Sequence, residues 1–276
     1  MEGRMKPGFK RIVCLTTETC EVLYLLGEQD RIVGISGYTT RPAIARKEKP
    51  KVGAFTSAKI DKIVALKPDL VLTCTDLQAD IAAALIKAGI EVHAFNQRSV
   101  DEILQMIMTL GALVNAQEKA ASLVSELQRN ISAVLTSAQQ LPTRPKVYFE
   151  EWDEPMISGI RWVVELIEIA GGVDCFAELS QHSSAKDRVI HDPEEVVKRN
   201  PDIIIGSWCG KKFQPEQVMQ RDGWQSISAV RDGFLREIKS ADILQPGPSV
   251  IQHGLPQLHT IIQQWAARQA FSKHWD

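Results

Sequence analysis

The sequence lacks the features that mark several large classes of protein. Its longest apolar runs are far shorter than a bilayer span, so it predicts no transmembrane helix. The formal net charge is only −2, and no basic stripe alternates with aromatic residues, which argues against nucleic-acid binding. Only 5 of the 276 residues are cysteines and none forms a CxxC pair, so reduced, buried thiols are expected rather than a zinc site or a disulfide framework.

Recognisable catalytic and metal-binding motifs are also missing. The six histidines form no HxxH or HExxH pair, and no GxSxG elbow, GxxxxGK[ST] loop or GxGxxG after the first strand occurs. A metal site would need three or four converging His and carboxylate ligands. We therefore expect neither an enzyme nor a protein with a metal held by its own side chains.

The N-terminus contains basic residues but no apolar leader before the first predicted strand. Two locations therefore stay open. The protein is cytoplasmic if the sequence is complete, and periplasmic if a leader has been removed.

The sequence does contain one internal repeat. Within KIDKIVALKPDLVLT (59–73) and DPEEVVKRNPDIIIGS (192–207), residues 61–72 match residues 194–205 without a gap, at an offset of 133 residues. In each copy an acid opens a short amphipathic helix, a proline ends it, and an Asp leads into an apolar run. Apolar runs without polar alternation are typical of strands covered on both faces in parallel sheets. Coincidence is the alternative, because such Pro-Asp turns are common.

Strands alternate with helices throughout, which predicts an α/β fold of two Rossmann-like lobes with parallel sheets. The predicted lobes span 9–114 and 143–276, and a single long helix within 115–142 joins them. Between Ala116 and Leu135 there is neither Pro nor Gly, which predicts an uninterrupted helix of about five or six turns. An ordinary domain helix is the alternative to a connecting strut.

In open parallel sheets, ligands bind beyond the carboxyl ends of the strands. The predicted strand ends are rich in aromatic and hydrogen-bonding residues, which suits a large, flat, partly apolar ligand with a polar periphery. Core packing is the alternative for the two tryptophans that follow strands, and pairing with Glu165 is the alternative for Arg161. The candidate ligand contacts are Thr17, Glu18, Tyr38, Phe55, Trp152, Arg161, Trp162, Trp208 and Cys209.

Several segments together resemble a known family. The repeated units, segments 34–38 and 51–55, and segment 155–159 followed by a helix and Gly171-Gly172 are similar to cobalamin-binding proteins. These are class III substrate-binding proteins of ABC importers, a group that also serves haem and iron–siderophore uptake. The resemblance implies a monomer that holds a corrinoid such as cobalamin, without a covalent cofactor, in a cleft between the lobes joined by a rigid helix. It also implies delivery to a membrane permease.

The resemblance assigns roles to individual residues. Asp61 and Glu194 match the family's two surface acids, which dock onto arginines of the permease; stabilising the helix dipole is their alternative role. Tyr38 and Phe55 match aromatics that contact the corrinoid. Arg188 stands where relatives place a Trp facing the ligand, so we include it among the candidate contacts.

Two other functions stay open. One is a binding protein for haem or a ferric siderophore. The other is a cytosolic enzyme or chaperone that handles a metal tetrapyrrole, because chelatases share the two-lobed architecture. That protein would use Glu18, Asp76, His182 or Cys209 as metal-facing or proton-transfer groups.

Overall fold

The structure is a computed structural model and describes residues 8–272. Residues 1–7 and His274 lie outside the described residues. The first of these belong to the N-terminal segment to which the expectation about a leader refers. By their internal contacts the described residues form two compact units, the first containing residues 8–97 and 101–126 and the second containing residues 98–100 and 127–272.

The first part of the chain alternates short strands and helices. Its elements are β1 (Ile12–Cys14), α1 (Thr17–Leu25), β2 (Ile32–Ser36), α2 (Ala45–Glu48), β3 (Lys51–Gly53), α3 (Ile60–Ala65), β4 (Leu70–Cys74), α4 (Ala79–Lys87), β5 (Val92–Phe95), α5 (Val100–Leu113) and α6 (Gln117–Ala138).

The remaining elements follow α6. They are β6 (Lys146–Asp153), β7 (Met156–Ser158), α7 (Arg161–Ile169), β8 (Val173–Asp174), α8 (Glu194–Arg199), β9 (Ile203–Gly206), α9 (Pro215–Met219), α10 (Ser228–Arg231), β10 (Leu235–Glu237), α11 (Ser240–Ile243) and α12 (Leu255–Ser272).

The first unit contains a five-stranded sheet in the order β3-β2-β1-β4-β5, and all of its pairs are parallel. This confirms the predicted Rossmann-like parallel sheet, and it adds the edge strand β3, which the sequence reading did not identify. The chain moves outward from β1 through β2 to β3 and then returns to the other side of β1 with β4. The order therefore reverses between β1 and β4, the type of position where open α/β sheets bind ligands.

The second unit contains a separate sheet in the order β10-β9-β6-β7, with β8 paired to β6. The pairs that β6 makes with β8 and β9 are parallel, but β7 runs antiparallel to β6. The expectation of a purely parallel sheet missed this hairpin. Its physical basis is the connection, because only Glu154 and Pro155 separate β6 from β7, and two residues suffice to join antiparallel strands.

The two copies of the repeated pattern adopt the same local structure. The first copy forms α3 and β4, and the second forms α8 and β9. The residue before the proline, Lys67 or Asn200, has φ of 47° in both copies. This left-handed conformation ends each helix and turns the chain into the following strand.

The Asp after each proline ties its turn to the first strand of the same unit. Asp69 accepts hydrogen bonds from the backbone N–H groups of Lys10 and Arg11, both at 2.8 Å. Asp202 accepts one from the N–H of Lys146, also at 2.8 Å. The backbone N–H of each Asp donates in return, to the carbonyl of Arg11 at 2.9 Å and of Lys146 at 2.8 Å. The same carboxylate therefore orders the same junction in both units.

The helical region after β5 is interrupted once. Asn115 has φ of 58° and separates α5 from α6. Helix α6 then continues for 22 residues without a break, as the absence of Pro and Gly predicted. Residues 117–126 of α6 belong to the first unit and residues 127–138 to the second.

We expect Asp202→Ala to lower the free energy of unfolding by about 1–3 kcal/mol, because it leaves the N–H of Lys146 without its carboxylate acceptor. Asp69→Ala should have an effect of the same size in the first unit. Urea denaturation measures both, and Glu126→Ala at an exposed position of α6 is the control, with an expected change within about 0.5 kcal/mol. Losses no larger than that of the control would show that the carboxylate does not hold the turn.

Candidate functional site

Large apolar side chains are exposed where three strands of the first sheet end. Phe55 follows β3, Tyr38 follows β2 and Leu77 follows β4, and their exposed fractions are 52%, 60% and 53%. We call these three residues the edge surface. The carboxyl ends of parallel strands share one edge of a sheet, and ligands bind at that edge. The edge surface is therefore the natural candidate for an apolar binding surface in this unit.

A single buried amide, Gln78, connects the strand ends beneath the edge surface. Its Oε1 accepts from the N–H of Cys74 at 3.1 Å, and its Nε2 donates to the carbonyls of Leu15 at 3.2 Å and Phe55 at 2.9 Å. The loop that carries Phe55 is thereby fixed to the ends of β1 and β4. Sequence reasoning missed Gln78, because nothing in its local pattern indicates contacts so distant along the chain.

Leu77 was also missed, and its exposure depends on Thr75. Thr75 has φ of 45°, a conformation uncommon for residues other than glycine, and its hydroxyl accepts from the N–H of Leu77 at 3.2 Å. The chain turns sharply at the end of β4 and leaves Leu77 in solvent.

Glu18 is a buried carboxyl at the end of β1, next to the half-buried Thr17. The Thr17 hydroxyl donates to Glu18 Oε2 at 3.2 Å, and Gln97 Nε2 donates to Glu18 Oε1 at 3.5 Å. Burial raises the pKa of the Glu18 carboxyl, and these hydrogen bonds oppose the rise. Glu18 is therefore held in a buried group of hydrogen-bonded side chains with Thr17 and Gln97.

In the second unit, a fully buried carboxylate lies within β6, at the last residue that β6 pairs with β9. Glu150 is 0% exposed. Arg221 binds it with two nitrogens, Nη1 to Oε2 at 2.6 Å and Nη2 to Oε1 at 2.9 Å. The Tyr148 hydroxyl and the Trp208 Nε1 also donate to it, each at 2.9 Å. Four donors thus satisfy a charge that would be very costly to bury alone.

This network fixes the Arg221 guanidinium. Its Cζ lies 4.5 Å from the centroid of the Trp224 ring, and Nη1 contacts the Met156 sulfur at 3.6 Å. Burial, with Glu150 next in effect, holds the pKa of the Tyr148 hydroxyl well above its usual range, which favours the protonated hydroxyl that donates to Glu150. Sequence reasoning missed Glu150 and Arg221, which lie 71 residues apart in the chain.

A cavity of about 600 Å³ opens beside Arg221 in the second unit. Met156, Val189 and Ile190 provide its apolar wall. Its other lining residues are polar, charged or proline: Asp153, Glu154, Pro155, His191, Pro193, Gln217, Arg221 and Asp222. A concave site that combines an apolar wall with a few convergent polar groups is typical of small-molecule binding.

Trp152 lies next to this cavity, half-buried at the end of β6. Its Nε1 donates to the carbonyl of Glu154 at 2.7 Å. The Lys211 ammonium lies 4.5 Å from the centroid of the Trp152 ring and 4.8 Å from that of Trp208, and it pairs with Asp153 at 2.6 Å. The Lys211 charge is therefore satisfied within this cluster.

Four of the expected ligand contacts are buried, Glu18 at 5% exposure and the three that follow. Trp208 is 3% exposed and donates to Glu150, and Trp162 is 5% exposed and donates to the carbonyl of Ile243 at 2.9 Å. Arg188 is 1% exposed and pairs with Glu151 at 2.7 Å. Their burial does not fit direct ligand contact, and the structure gives each of them a packing and hydrogen-bonding role instead.

The other candidates are at least partly accessible: Thr17, Tyr38, Phe55, Trp152, Arg161 and Cys209. Arg161 is exposed and pairs with Glu165 at 2.9 Å, as one alternative anticipated. Cys209 is exposed, in contrast to the expectation of buried thiols, while Cys14, Cys20 and Cys74 are buried. Partial burial, together with nearby Glu151, raises the pKa of the Cys209 thiol, which disfavours a reactive thiolate.

The acids proposed for docking, Asp61 and Glu194, are both exposed in the first turns of α3 and α8. The residues named for a metal-handling enzyme are divided between the units, Glu18 and Asp76 in the first and His182 and Cys209 in the second. Among residues 8–272, no three or more His, Cys, Asp or Glu side chains are placed to share a metal ion. Within the same residues, no helix is both long and apolar enough to cross a membrane.

We expect Glu150→Ala to destabilise the protein by about 3 kcal/mol or more, because Arg221 would keep a largely desolvated charge without its partner. Arg161→Ala, which breaks an exposed pair, is the matched control and should cost less than about 1 kcal/mol. Chemical denaturation measures both, and equal losses would contradict the role given to the buried network.

Comparison with known families gives one match over most of the chain. The model of the periplasmic binding protein family matches residues 12–241. An uncharacterized ABC transporter substrate-binding lipoprotein of Bacillus subtilis, YvrC, is 27% identical over 252 residues, covering 88% of this chain and 77% of the relative. A cobalamin-binding protein of Halobacterium salinarum is 23% identical over 249 residues, covering 88% of this chain and 67% of the relative.

Solved structures share the fold. The periplasmic haem-binding protein RhuT from Roseiflexus sp. RS-1, in apo form, superposes with a TM-score of 0.79 at 21% sequence identity. The match covers 94% of this chain and all of that protein, 100%.

Proposed function

The chain belongs to the periplasmic binding protein family, and on that premise we propose that it binds a corrinoid, such as cobalamin, and delivers it to an ABC importer. The role is binding without catalysis. A relative named as a cobalamin-binding protein supports the ligand class, and one named as an ABC transporter substrate-binding lipoprotein supports the importer.

The observation that carries the ligand proposal is the edge surface. Tyr38, Phe55 and Leu77 are each more than half exposed at the carboxyl edge of one parallel sheet. Large apolar groups exposed together, unlike singly exposed ones, are typical of a surface that binds a ligand or partner. A corrin ring offers a wide, largely apolar face, and its peripheral amides match polar groups such as Thr17.

Haem is the competing ligand, because a haem-binding protein shares this fold. Haem also has a flat face, so the edge surface alone does not separate the two. Ligand titration does, and the two ligands are therefore compared in the same experiment.

We expect cyanocobalamin to quench tryptophan fluorescence with micromolar or tighter affinity, since about 8 kcal/mol corresponds to 1 μM. Tyr38→Ala and Phe55→Ala should each weaken binding by about tenfold or more, because each removes a large apolar contact. Ile86→Ala is the control, since Ile86 is 62% exposed but lies on α4, away from the edge surface. Thermal melts of the three variants check that folding is unchanged.

Haemin and a ferric hydroxamate siderophore are titrated in parallel. A response to haemin alone would transfer the proposal to haem, and a response to the siderophore alone would transfer it to siderophores. No response to any of the three would refute a ligand-binding role of this kind.

We also propose that Asp61 and Glu194 dock onto the permease. Both are exposed acids in the first turns of helices α3 and α8, which occupy equivalent places in the two units. The matching hydrogen bonds of Asp69 and Asp202 support that equivalence. Two like acids on two like units suit a transporter built from two similar halves, whose arginines would pair with them.

The double variant Asp61→Ala/Glu194→Ala should lose co-purification with the importer in detergent while it keeps ligand affinity. Asp80→Ala/Asp187→Ala, which removes two other exposed acids, is the matched control and should retain the complex. Retention of the complex by the first variant would show that docking uses another surface.

An extracytoplasmic location accompanies the proposed role, because a receptor for an importer meets its ligand outside the inner membrane. The monomeric state and the use of one ligand by both units stay predictions.

A further inference from the structure

The cavity of the second unit has an unusual charge distribution for a site in a family that includes haem-binding members. Among its lining residues, Arg221 is the only Lys or Arg, whereas Asp153, Glu154 and Asp222 are all carboxylates. Asp153 is neutralised by Lys211 at 2.6 Å. Glu154 and Asp222 are exposed, and the cavity lining contains no Lys or Arg other than Arg221.

The charge of Arg221 does not offset them either, because it is already compensated. Both of its terminal nitrogens bind the fully buried Glu150. An arginine paired in this way still has further N–H groups to donate, but it contributes little net positive field. At the cavity wall it therefore acts as a hydrogen-bond donor with only a weak preference for a negative acceptor.

A fixed donor beside two carboxylate acceptors matches one common functional group. A primary carboxamide has a carbonyl oxygen to accept from Arg221 and an NH2 group to donate to Glu154 or Asp222. A carboxylate at the same place has no N–H to donate, and both acids repel it. The apolar wall of Met156, Val189 and Ile190 accommodates the short alkyl chain that bears either group.

We infer that this cavity is a subsite for a carboxamide-bearing side chain of the ligand and that Glu154 and Asp222 discriminate against the corresponding carboxylate. The inference rests on the proposed corrinoid function and adds a specificity determinant to it. It also supplies a reason for the protein to reject haem, whose side chains include two propionates. Arg221 and Glu150 are the positioning pair, and the two exposed acids are the discriminating residues.

The test compares cyanocobalamin with its monocarboxylic acids, in each of which one side-chain amide is hydrolysed. Isothermal titration measures the affinity of the wild type for each ligand. At least one acid isomer should bind about tenfold more weakly than cyanocobalamin, and 1 M salt should reduce that difference, because exposed charges are screened.

Glu154→Gln/Asp222→Asn should reduce the discrimination to about twofold or less while cyanocobalamin still binds. Glu168→Gln/Asp187→Asn removes two exposed acids of the same unit outside the cavity and is the matched control, expected to keep the tenfold preference. A thermal melt of each variant confirms that it is folded.

The outcomes separate the two proposals. If cyanocobalamin binds but every acid isomer binds equally well, the subsite is refuted and the corrinoid function stands. If discrimination exists but survives Glu154→Gln/Asp222→Asn, these two acids are not its source and the inference is overturned. If cyanocobalamin does not bind at all, the proposed function fails and the subsite fails with it.

Discussion

The hydrogen bond between the carboxylate after the proline and the first strand is the interaction on which each unit depends. In both copies the left-handed residue before the proline ends a helix, and the Asp then binds the backbone N–H groups where the first strand begins. The helix, the turn and two adjacent strands are thereby fixed relative to one another within the unit. This junction therefore positions the exposed acid at the start of that helix. It also positions the strand ends at the opposite edge of the sheet.

The sequence predicted the helix, the turn and the buried strand of each copy because their determinants are local, but it did not predict the hydrogen bonds of the Asp. Proline ends the helix, the apolar run forms a buried strand, and the absence of Pro and Gly sustains α6 over 22 residues. Short strands were harder to predict. Strand β3 has three residues and β8 has two, so neither shows a period, and β7 depends on a two-residue connection that pairs it with its own predecessor. Pairing of that kind is decided by tertiary contacts, which a local pattern does not contain.

The candidate site residues also differ in whether a local sequence pattern could predict their exposure. The exposure of Tyr38 and Phe55 could be anticipated because both lie in a turn-rich stretch between elements, where core packing is unusual. The burial of Trp162, Trp208 and Arg188 could not be anticipated, since their hydrogen-bond partners lie 81, 58 and 37 residues away in the chain. An aromatic residue after a strand is equally compatible with a ligand surface and with a core. Only the presence of Glu150 beneath Trp208 decides between them.

Glu150 also determines the electrostatic character of the second unit. A buried carboxylate without donors would shift to its neutral form or destabilise the fold, so Arg221 is required for stability whatever ligand binds. Because Glu150 compensates the charge of Arg221, the guanidinium offers the cavity a hydrogen-bond donor but little positive electrostatic potential. In this protein the buried ion pair that stabilises the second unit thus also sets the charge and the hydrogen-bonding character of the cavity beside it.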